Sequence, residues 1–351
     1  MSPDQKYERM RPFFLFSPDS KGVMTMALIV QKYGGTSVAD LDRIEKVART
    51  VAATKSKQSG NKVIVVVSAM SGQTDHLLQM SHSIIDNPPE REIDALTATG
   101  EQVSAALLAI TLQKFGCKAK SFLGLQLPLI TDDQHTKAHI VDLQTAVLNK
   151  TLDDDFIPVV AGFQAVTEDG SITTLGRGGS DTTAVAIAAA LQADCCEIYT
   201  DVDGVYTADP NICPKARHIS KISYQEMLEL AGLGAKVLHA RSVELAQKYQ
   251  VPLVVRSSFG GEKHTWIVNE EDVMENFIIK GVSLEKNVSK ISVIRVPDRP
   301  GIAHTILSPL ADANVNVDMI IQNASIDGYT DFTFTIPTTD LPKAKELVNK
   351  V

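Results

Sequence analysis

The sequence predicts an α/β fold with a mainly parallel central sheet, followed by a smaller βαββα module. Three observations predict it. Val63-Ile64-Val65-Val66-Val67 is an unbroken β-branched run, the pattern of a strand covered on both faces. Two apolar runs, at 27–33 and 63–67, each end in a small polar or glycine turn and pass into a helical pattern, as alternating strands and helices do. Past an acidic connector, Asn269-Glu270-Glu271-Asp272, the order becomes strand (278–284), strand (291–296), helix (302–313), strand (315–321), strand (330–336), helix (340–350).

The chain has 351 residues, enough for two domains that each bury a core. Apolar and charged contents of 44% and 22% are those of a globular protein. A net charge of −8, with no basic run interleaved with aromatics, excludes a nucleic-acid-binding surface, so any anionic ligand needs a local site. The cysteines, at 117, 195, 196 and 213, lack a Cys-x-x-Cys spacing and read as reduced thiols of a cytoplasmic protein. No apolar run approaches the ~18 residues that span a membrane, and Phe13-Phe14-Leu15-Phe16 is shorter than a signal-peptide core of about seven. Residues 1–25 are accordingly read as a disordered or lightly packed extension, 26–270 as the main domain and 271–351 as the second.

Taken in order, Ala27 to Tyr33 forms a strand that ends in Gly34-Gly35-Thr36-Ser37-Val38. A helix follows with Leu41, Ile44, Val47, Ala48 and Val51 on one face. Lys32 at the strand end can neutralise phosphate oxygens above the glycine turn, or can be a snorkelling edge lysine; the spacing is neither a Walker loop nor a Gly-x-Gly-x-x-Gly. The 63–67 strand ends in the polar loop 68–75, where Ser68 and Thr74 are site candidates by position and Thr74 is equally a helix cap; Leu77, Leu78, Met80 and Ile84 continue as a helix. Residues 86–94, with Pro88-Pro89, read as a loop that can move. Glu101 begins a small-residue helix, Ser104 to Leu112, where its carboxylate suits the helix dipole or an amino-acid ammonium. Ser121 to Thr131 is expected as an edge strand and Val141 to Leu148 as a helix. Ile157 to Phe163 is a strand followed by a hairpin turn at Glu168-Asp169-Gly170.

The stretch Thr173-Thr174-Leu175-Gly176-Arg177-Gly178-Gly179-Ser180-Asp181-Thr182-Thr183 runs into the alanine-rich helix Ala184 to Leu191. A glycine turn that opens a helix presents backbone N–H groups and a positive dipole end, while Arg177, Ser180 and Asp181 supply orienting side chains. The plain alternative is a helix capped by Ser180 or Asp181. Glu197-Ile198-Tyr199 is a strand leading to Thr200-Asp201-Val202-Asp203-Gly204-Val205-Tyr206, a loop without EF-hand spacing that suits nucleotide contact better than calcium. Tyr224 to Ala231 is helical, and Gly232 to His239 opens another helix carrying Lys236, with His239 a packing residue. Val251 to Arg256 closes the domain as its last strand.

Lys32-Tyr33-Gly34-Gly35-Thr36-Ser37, Gly176-Arg177-Gly178-Gly179-Ser180-Asp181, Thr200 to Tyr206 and Gly234-Ala235-Lys236-Val237-Leu238-His239 together resemble the aspartokinases of the amino-acid kinase superfamily. Residues 298–322, with Arg299-Pro300-Gly301 and Asn316-Val317-Asp318-Met319-Ile320-Ile321-Gln322, are similar to the first ACT regulatory segment of those enzymes; the likeness covers about 27–351. It implies a three-layer αβα sandwich followed by a truncated ferredoxin-like ACT domain, a second ACT segment not being present in the sequence. Position by position, it makes Lys32 and Asp181 catalytic. Thr74, Glu101, Arg177, Gly178, Gly179 and Ser180 bind aspartate, with Arg177 on the α-carboxylate and Glu101 near the α-amine. Lys32, Gly34, Gly35, Thr36, Ser37, Thr200, Asp201, Tyr206 and Lys236 bind the nucleotide, and Asp298, Gly301, Ala303, Asn316 and Gln322 an inhibitory lysine or threonine. Where the family commonly has arginine after Ala-Asp-Pro this sequence has Asn211, so a cationic nucleotide contact is lost or passes to Lys215 or Arg217.

The function so implied is ATP-dependent phosphorylation of the L-aspartate side-chain carboxylate, the first step of lysine, threonine and methionine biosynthesis, with Mg²⁺ held mainly by the nucleotide. No nucleic-acid or membrane partner is expected, and the chain is expected as a homo-oligomer or in complex with a separate ACT-bearing subunit. A kinase of another acid such as N-acetylglutamate, and a catalytically idle ACT-type amino-acid sensor, are the competing readings.

Overall fold

A computed structural model describes residues 27–56, 60–232, 237–272, 281–313, 315–323 and 327–350. The chain forms two compact units: one takes in the chain up to Val205 with His218–Leu228 and Val237–Asn276, the other Tyr206–Arg217, Glu229–Lys236 and Phe277–Val351.

The first unit begins with β1 (Leu28–Tyr33), α1 (Leu41–Thr54), β2 (Lys62–Val67), α2 (Gln73–Ile84), α3 (Glu90–Thr97) and α4 (Thr99–Lys114). It continues through β3 (Ala119–Phe122), β4 (Leu129–Thr131), β5 (Ile140–Leu143), α5 (Ala146–Asp153), β6 (Ile157–Ala161), β7 (Gln164–Val166), β8 (Ile172–Thr174), α6 (Gly179–Ala190) and β9 (Cys195–Thr200). After two short strands, β10 (Val205–Tyr206) and β11 (His218–Ile219), come β12 (Lys221–Ser223), α7 (Tyr224–Gly232), α8 (Ala240–Tyr249), β13 (Leu253–Ser257) and β14 (His264–Val268). The main sheet has the order β12-β14-β13-β9-β1-β2-β6-β3, with β13 and β14 antiparallel to each other and the other neighbours whose pairing is described parallel. Val63, Val65 and Val67 pack with Ile44, Val47 and Val51 of α1 and Leu108 and Leu112 of α4. Ile64 and Val66 are equally buried on the other pleat face, and α6 crosses β1, β2 and β9, which is why β2 is apolar at every position but its first.

Several sequence expectations give way to tertiary context. Residues 90–94 are helical, with Pro89 at the N-cap and Glu90 and Glu92 in a first turn that favours acids. The expected edge strand 121–131 is split: β3 ends the main sheet, and β4 joins a second sheet of order β5-β4-β7-β8. The expected helix 141–148 is the strand β5 followed by α5, since antiparallel pairing with β4 takes Ile140–Leu143 into the second sheet. Helix α8 starts at Ala240, with His239 extended at its N-cap, and β14 follows β13 as a further strand. Leu41, Met80 and Ile84 are exposed rather than core-facing. The hairpin at Glu168–Gly170 forms, with β7 antiparallel to β8. Among the described residues, one helical run, Glu90–Lys114, is long and apolar enough to cross a membrane, but half of its apolar window is buried inside the fold.

In the second unit, β15 (Val288–Pro297), α9 (Ile302–Asp312), β16 (Ile320–Gln322), β17 (Tyr329–Pro337) and α10 (Leu341–Val348) make the βαββα order. The sheet order is β15-β17-β16, and Phe332, Phe334, Ile336, Ile306, Leu310 and Ala344 form its core. Residues 281–284 carry no strand, and 278–280 of that expected element lie outside the described residues. Leu112, fully buried between α4 and the sheet, tests the first core. Leu112→Ala should lower stability by about 2–5 kcal/mol, read as a shift of the urea midpoint with unchanged slope.

Candidate active site

The main sheet ends its parallel strands on one edge, and the loops leaving that edge carry the polar groups. Lys32 is the penultimate residue of β1 and Asp181 the third residue of α6; Nζ lies 2.6 Å from Oδ1, with the side chains only 10% and 11% exposed. This is a close ion pair rather than an aligned hydrogen bond. Asp181 also sits in the first turn of α6, where the dipole favours an anion. Helix α6 is preceded by Gly178 in the left-handed region and receives no side-chain cap, so Ser180 and Asp181 lie inside its first turn instead of capping it.

After β1 the chain turns at Gly34 into a short 3₁₀ helix, Gly35–Val38. The Gly34 N–H donates to the Tyr199 carbonyl of β9, and the Ser37 hydroxyl meets that of Ser258, just beyond β13, at 2.5 Å. Gly35 packs so closely on the loop after β2 that a Cβ there would stand 2.9 Å from the Ala69 carbonyl oxygen. Arg43 of α1 donates to the Thr36 carbonyl and stacks over Phe259. Thr200 ends β9 and donates its hydroxyl to Asp201 at 3.1 Å, while its carbonyl accepts from the Ser258 N–H.

On the other flank, Glu101 in the first turn of α4 is 3% exposed; its Oε1 accepts from the Ala69 N–H at 3.0 Å, and its Oε2 has no partner among the described residues. Burial raises its pKa from an ordinary 4.5 to about 7 despite that hydrogen bond. Gly162, following β6, lies against Ser180, whose Oγ would be 2.9 Å from a Cβ at that position. Glu101 and Ser180 are thus held beside neighbouring strand ends, those of β2 and β6. Thr74 is half-buried in the first turn of α2; the N-cap there is Gly72, so Thr74 is not the cap. Arg177 is exposed in the turn before α6 and makes no ion pair with another described residue. His239 packs its ring on Gly178, with Nδ1 buried and unpartnered; burial holds its pKa below the ordinary value, helped by Arg177 and Arg241 and opposed by Asp181.

The structure therefore gathers Lys32, Gly34, Gly35, Thr36, Ser37, Thr74, Glu101, Gly178, Gly179, Ser180, Asp181, Thr200 and Asp201 in one unit on the loops and helix starts around the sheet. Tyr206 falls in the other unit, and Lys236 lies outside the described residues. In the βαββα unit, Asp298 and Gly301 follow β15 and Gln322 ends β16 at the same end of the sheet, whereas Asn316 precedes β16 at the opposite end and Ala303 packs into the core. Ser258 and Arg43, absent from the sequence reading, stand at the end of an apolar strand and on a helix next to a glycine turn, the same signals that marked Thr200 and Lys32. All four cysteines are free, and burial pushes Cys195 up to about 12. Among the described residues no group of three or more His, Cys, Asp or Glu could hold a metal ion.

Comparison with known proteins identifies the family. Residues 27–257 match the amino acid kinase family and 291–351 the ACT domain. An aspartate kinase of Pseudomonas putida is 50% identical over 324 residues, covering 92% of this chain and 78% of the relative. Aspartate kinase from Synechocystis superposes with a TM-score of 0.63 at 42% identity, over 92% of this chain and 55% of that one. Aspartokinase III of E. coli, solved with aspartate and ADP, gives 0.75 at 25% identity, over 89% and 79%. With a kinase-family match over most of the sheet domain and half of the 324 aligned residues identical to an aspartate kinase, the chain belongs to the aspartate kinase family.

Proposed function

We propose that the chain transfers the γ-phosphoryl group of ATP to the side-chain carboxylate of L-aspartate, giving 4-phospho-L-aspartate. The observation that carries this reading is the buried Lys32–Asp181 pair at the end of a central strand, in the same unit as the buried Glu101 carboxyl and as Arg177, which makes no ion pair with another described residue. A carboxylate acceptor is ionised at neutral pH, so the protein needs no strong base and acts by placement and charge. Lys32 neutralises charge on the transferring phosphoryl group, Asp181 fixes the lysine ammonium, and the Gly34–Ser37 turn supports the phosphates with its backbone. Arg177 and Ser180 hold the aspartate α-carboxylate, Gly178 and Gly179 let the ligand approach the backbone, Thr74 lines the acceptor side, and Glu101 accepts the α-ammonium. Thr200, Asp201, Tyr206 and Lys236 serve the nucleotide. Magnesium, which would supply charge neutralisation on the phosphates, fits as an ion carried by the nucleotide, because among the described residues no group of three or more His, Cys, Asp or Glu could hold it.

The catalytic domain is assigned to 26–270 and the regulatory ACT domain to 271–351, with Asp298, Gly301, Ala303, Asn316 and Gln322 as the effector positions for lysine or threonine. Within one unit Asn316 is separated from Asp298 and Gln322 by the length of β16, which supports an effector site completed by a second ACT module, in a homo-oligomer or a separate subunit. The pathway role, a cytoplasmic enzyme at the first step of lysine, threonine and methionine synthesis, follows from the same reading.

A hydroxamate assay with ATP, magnesium and either aspartate or N-acetylglutamate tests the reaction: product with aspartate alone supports it, and product only with acetylglutamate, or none, overturns it. Lys32→Ala should cut kcat by about 10²–10³-fold with a smaller change in the KM for aspartate. Arg177→Ala should raise that KM by about 10–100-fold, the worth of a lost charged hydrogen bond.

Glu101 makes a paired prediction. Because its folded pKa is raised, the group is no burden below pH 4.5 and destabilises the empty fold progressively as pH rises to about 7. Glu101→Gln should therefore be more stable than the parent at pH 8, by up to about 3 kcal/mol, and equal to it near pH 4.5, as measured by denaturant melts without aspartate. In the parent the KM for aspartate should climb as pH falls below about 7, when Glu101 takes up a proton and loses its hold on the ammonium; in the variant it should be high and flat.

A further inference from the structure

Asp94 lies seven residues before Glu101, two helical turns earlier on the run formed by α3 and α4, and is completely buried. Its carboxylate faces only donors. Oδ1 and Oδ2 take the Thr136 N–H at 3.1 and 3.0 Å, Oδ1 the Thr174 hydroxyl at 2.5 Å, and Oδ2 the His135 Nδ1 at 2.8 Å. Thr136 has φ 65, a left-handed conformation that a non-glycine residue holds only when its surroundings impose it. The Thr136 carbonyl oxygen in turn lies so close to Gly176 that a Cβ there would stand 3.0 Å from it. Thr174, three residues before Arg177, is gripped from the same carboxylate, and its carbonyl accepts from the Ala138 N–H. From the opposite side Arg241 of α8 donates to the Leu175 carbonyl at 2.9 Å and to the Ala138 carbonyl at 2.8 Å.

We propose that Asp94 is a positioning residue that fixes the Gly176–Gly179 turn to the helix bearing Glu101, and so sets the separation between the groups that hold the α-carboxylate and the α-ammonium of the acceptor. Glu101 is rigid with respect to Asp94 because both belong to the α3–α4 run, which breaks only at Ala98, itself in helical conformation with its N–H on the Asp94 carbonyl. Arg177 is tied to Asp94 through Thr174 and through the Thr136–Gly176 contact. A carboxylate suits this task because it can accept several hydrogen bonds at once, and every donor it receives comes from a segment that must stay registered. The proposal rests on the aspartate-site reading given above.

The test is a double-mutant cycle on the full chain. Asp94→Asn keeps the shape of the side chain but loses acceptor capacity, and should raise the KM for aspartate about tenfold while the KM for ATP stays within about twofold. In the Arg177→Ala background the same substitution should add less than about twofold, because a misplaced guanidinium cannot matter once it is gone. Thr174→Val, a milder change that removes one donor, should raise the aspartate KM about threefold in the same pattern and serves as the deciding variant if Asp94→Asn does not fold. Equal rises in both KM values, an unchanged aspartate KM, or a full multiplicative effect in the Arg177→Ala background each overturn the positioning role. An unchanged aspartate KM in Arg177→Ala alone overturns the aspartate assignment of the turn itself, so the two failures are told apart.

Discussion

The contact between Lys32 and Asp181 is the constraint around which the first unit is arranged. It joins the end of a central strand to the first turn of the helix that crosses it, with both charges nearly out of water. A buried ion pair is a poor source of stability, since removing one partner costs about 3–5 kcal/mol while an apolar replacement of both often costs nothing. What the pair supplies is a cation held ready in a dry site. The carboxylate holds the ammonium in place, and the first turn of α6 is a favourable place for that carboxylate. Lysine rather than arginine fits here, because a compact point charge can serve a neighbouring anion without leaving its carboxylate.

That pair has consequences for the strand order. β1 lies between β2 and β9, and the chain leaves β1 and β2 for helices α1 and α2 but returns to β9 from α6. In open parallel sheets ligands collect outside the strand ends where such connections diverge. Here the segments after β1, β2, β6, β9 and β13 supply Gly34–Ser37, Ala69, Gly162, Thr200 and Ser258, and two of the glycines are required because backbone or Ser180 stands where a Cβ would go. The parallel sheet is therefore both the core and the ruler that sets these loops side by side.

Features written locally were legible in the sequence: β2 from its unbroken β-branched run, the Gly176–Asp181 helix start from glycines beside charges, and the hairpin at Glu168–Gly170 from its turn residues. Elements whose identity depends on a partner were not. Residues 90–94 looked like a loop because their apolar content is low, yet the segment is helical and its one buried charge, Asp94, is bound to residues forty and eighty positions away. Val141 could equally begin a helix or a strand by its own pattern, and pairing with β4 decides it. His239 read as a packing residue; its contact with Gly178 is indeed packing, while its unpartnered Nδ1 beside Asp181 and Arg177 arises from a fold contact no local pattern encodes.

Among the described residues, the Glu101 Oε2 is a buried acceptor without a donor at the place where the ligand reading needs one. A buried acceptor without a donor costs about 1–3 kcal/mol, and the Glu101 Oε2 carries that cost within a side chain whose pKa burial has already raised to about 7. On the proposed reading, a ligand ammonium at Glu101 would supply the missing donor and offset the desolvation that raises the pKa, so free energy withheld from folding would reappear as binding. By mass action a ligand at a hundred times its Kd adds about 2.7 kcal/mol to the folded state. That is the same order as the burden Glu101 imposes when empty, so on the proposed reading a bound ammonium would be enough to offset it.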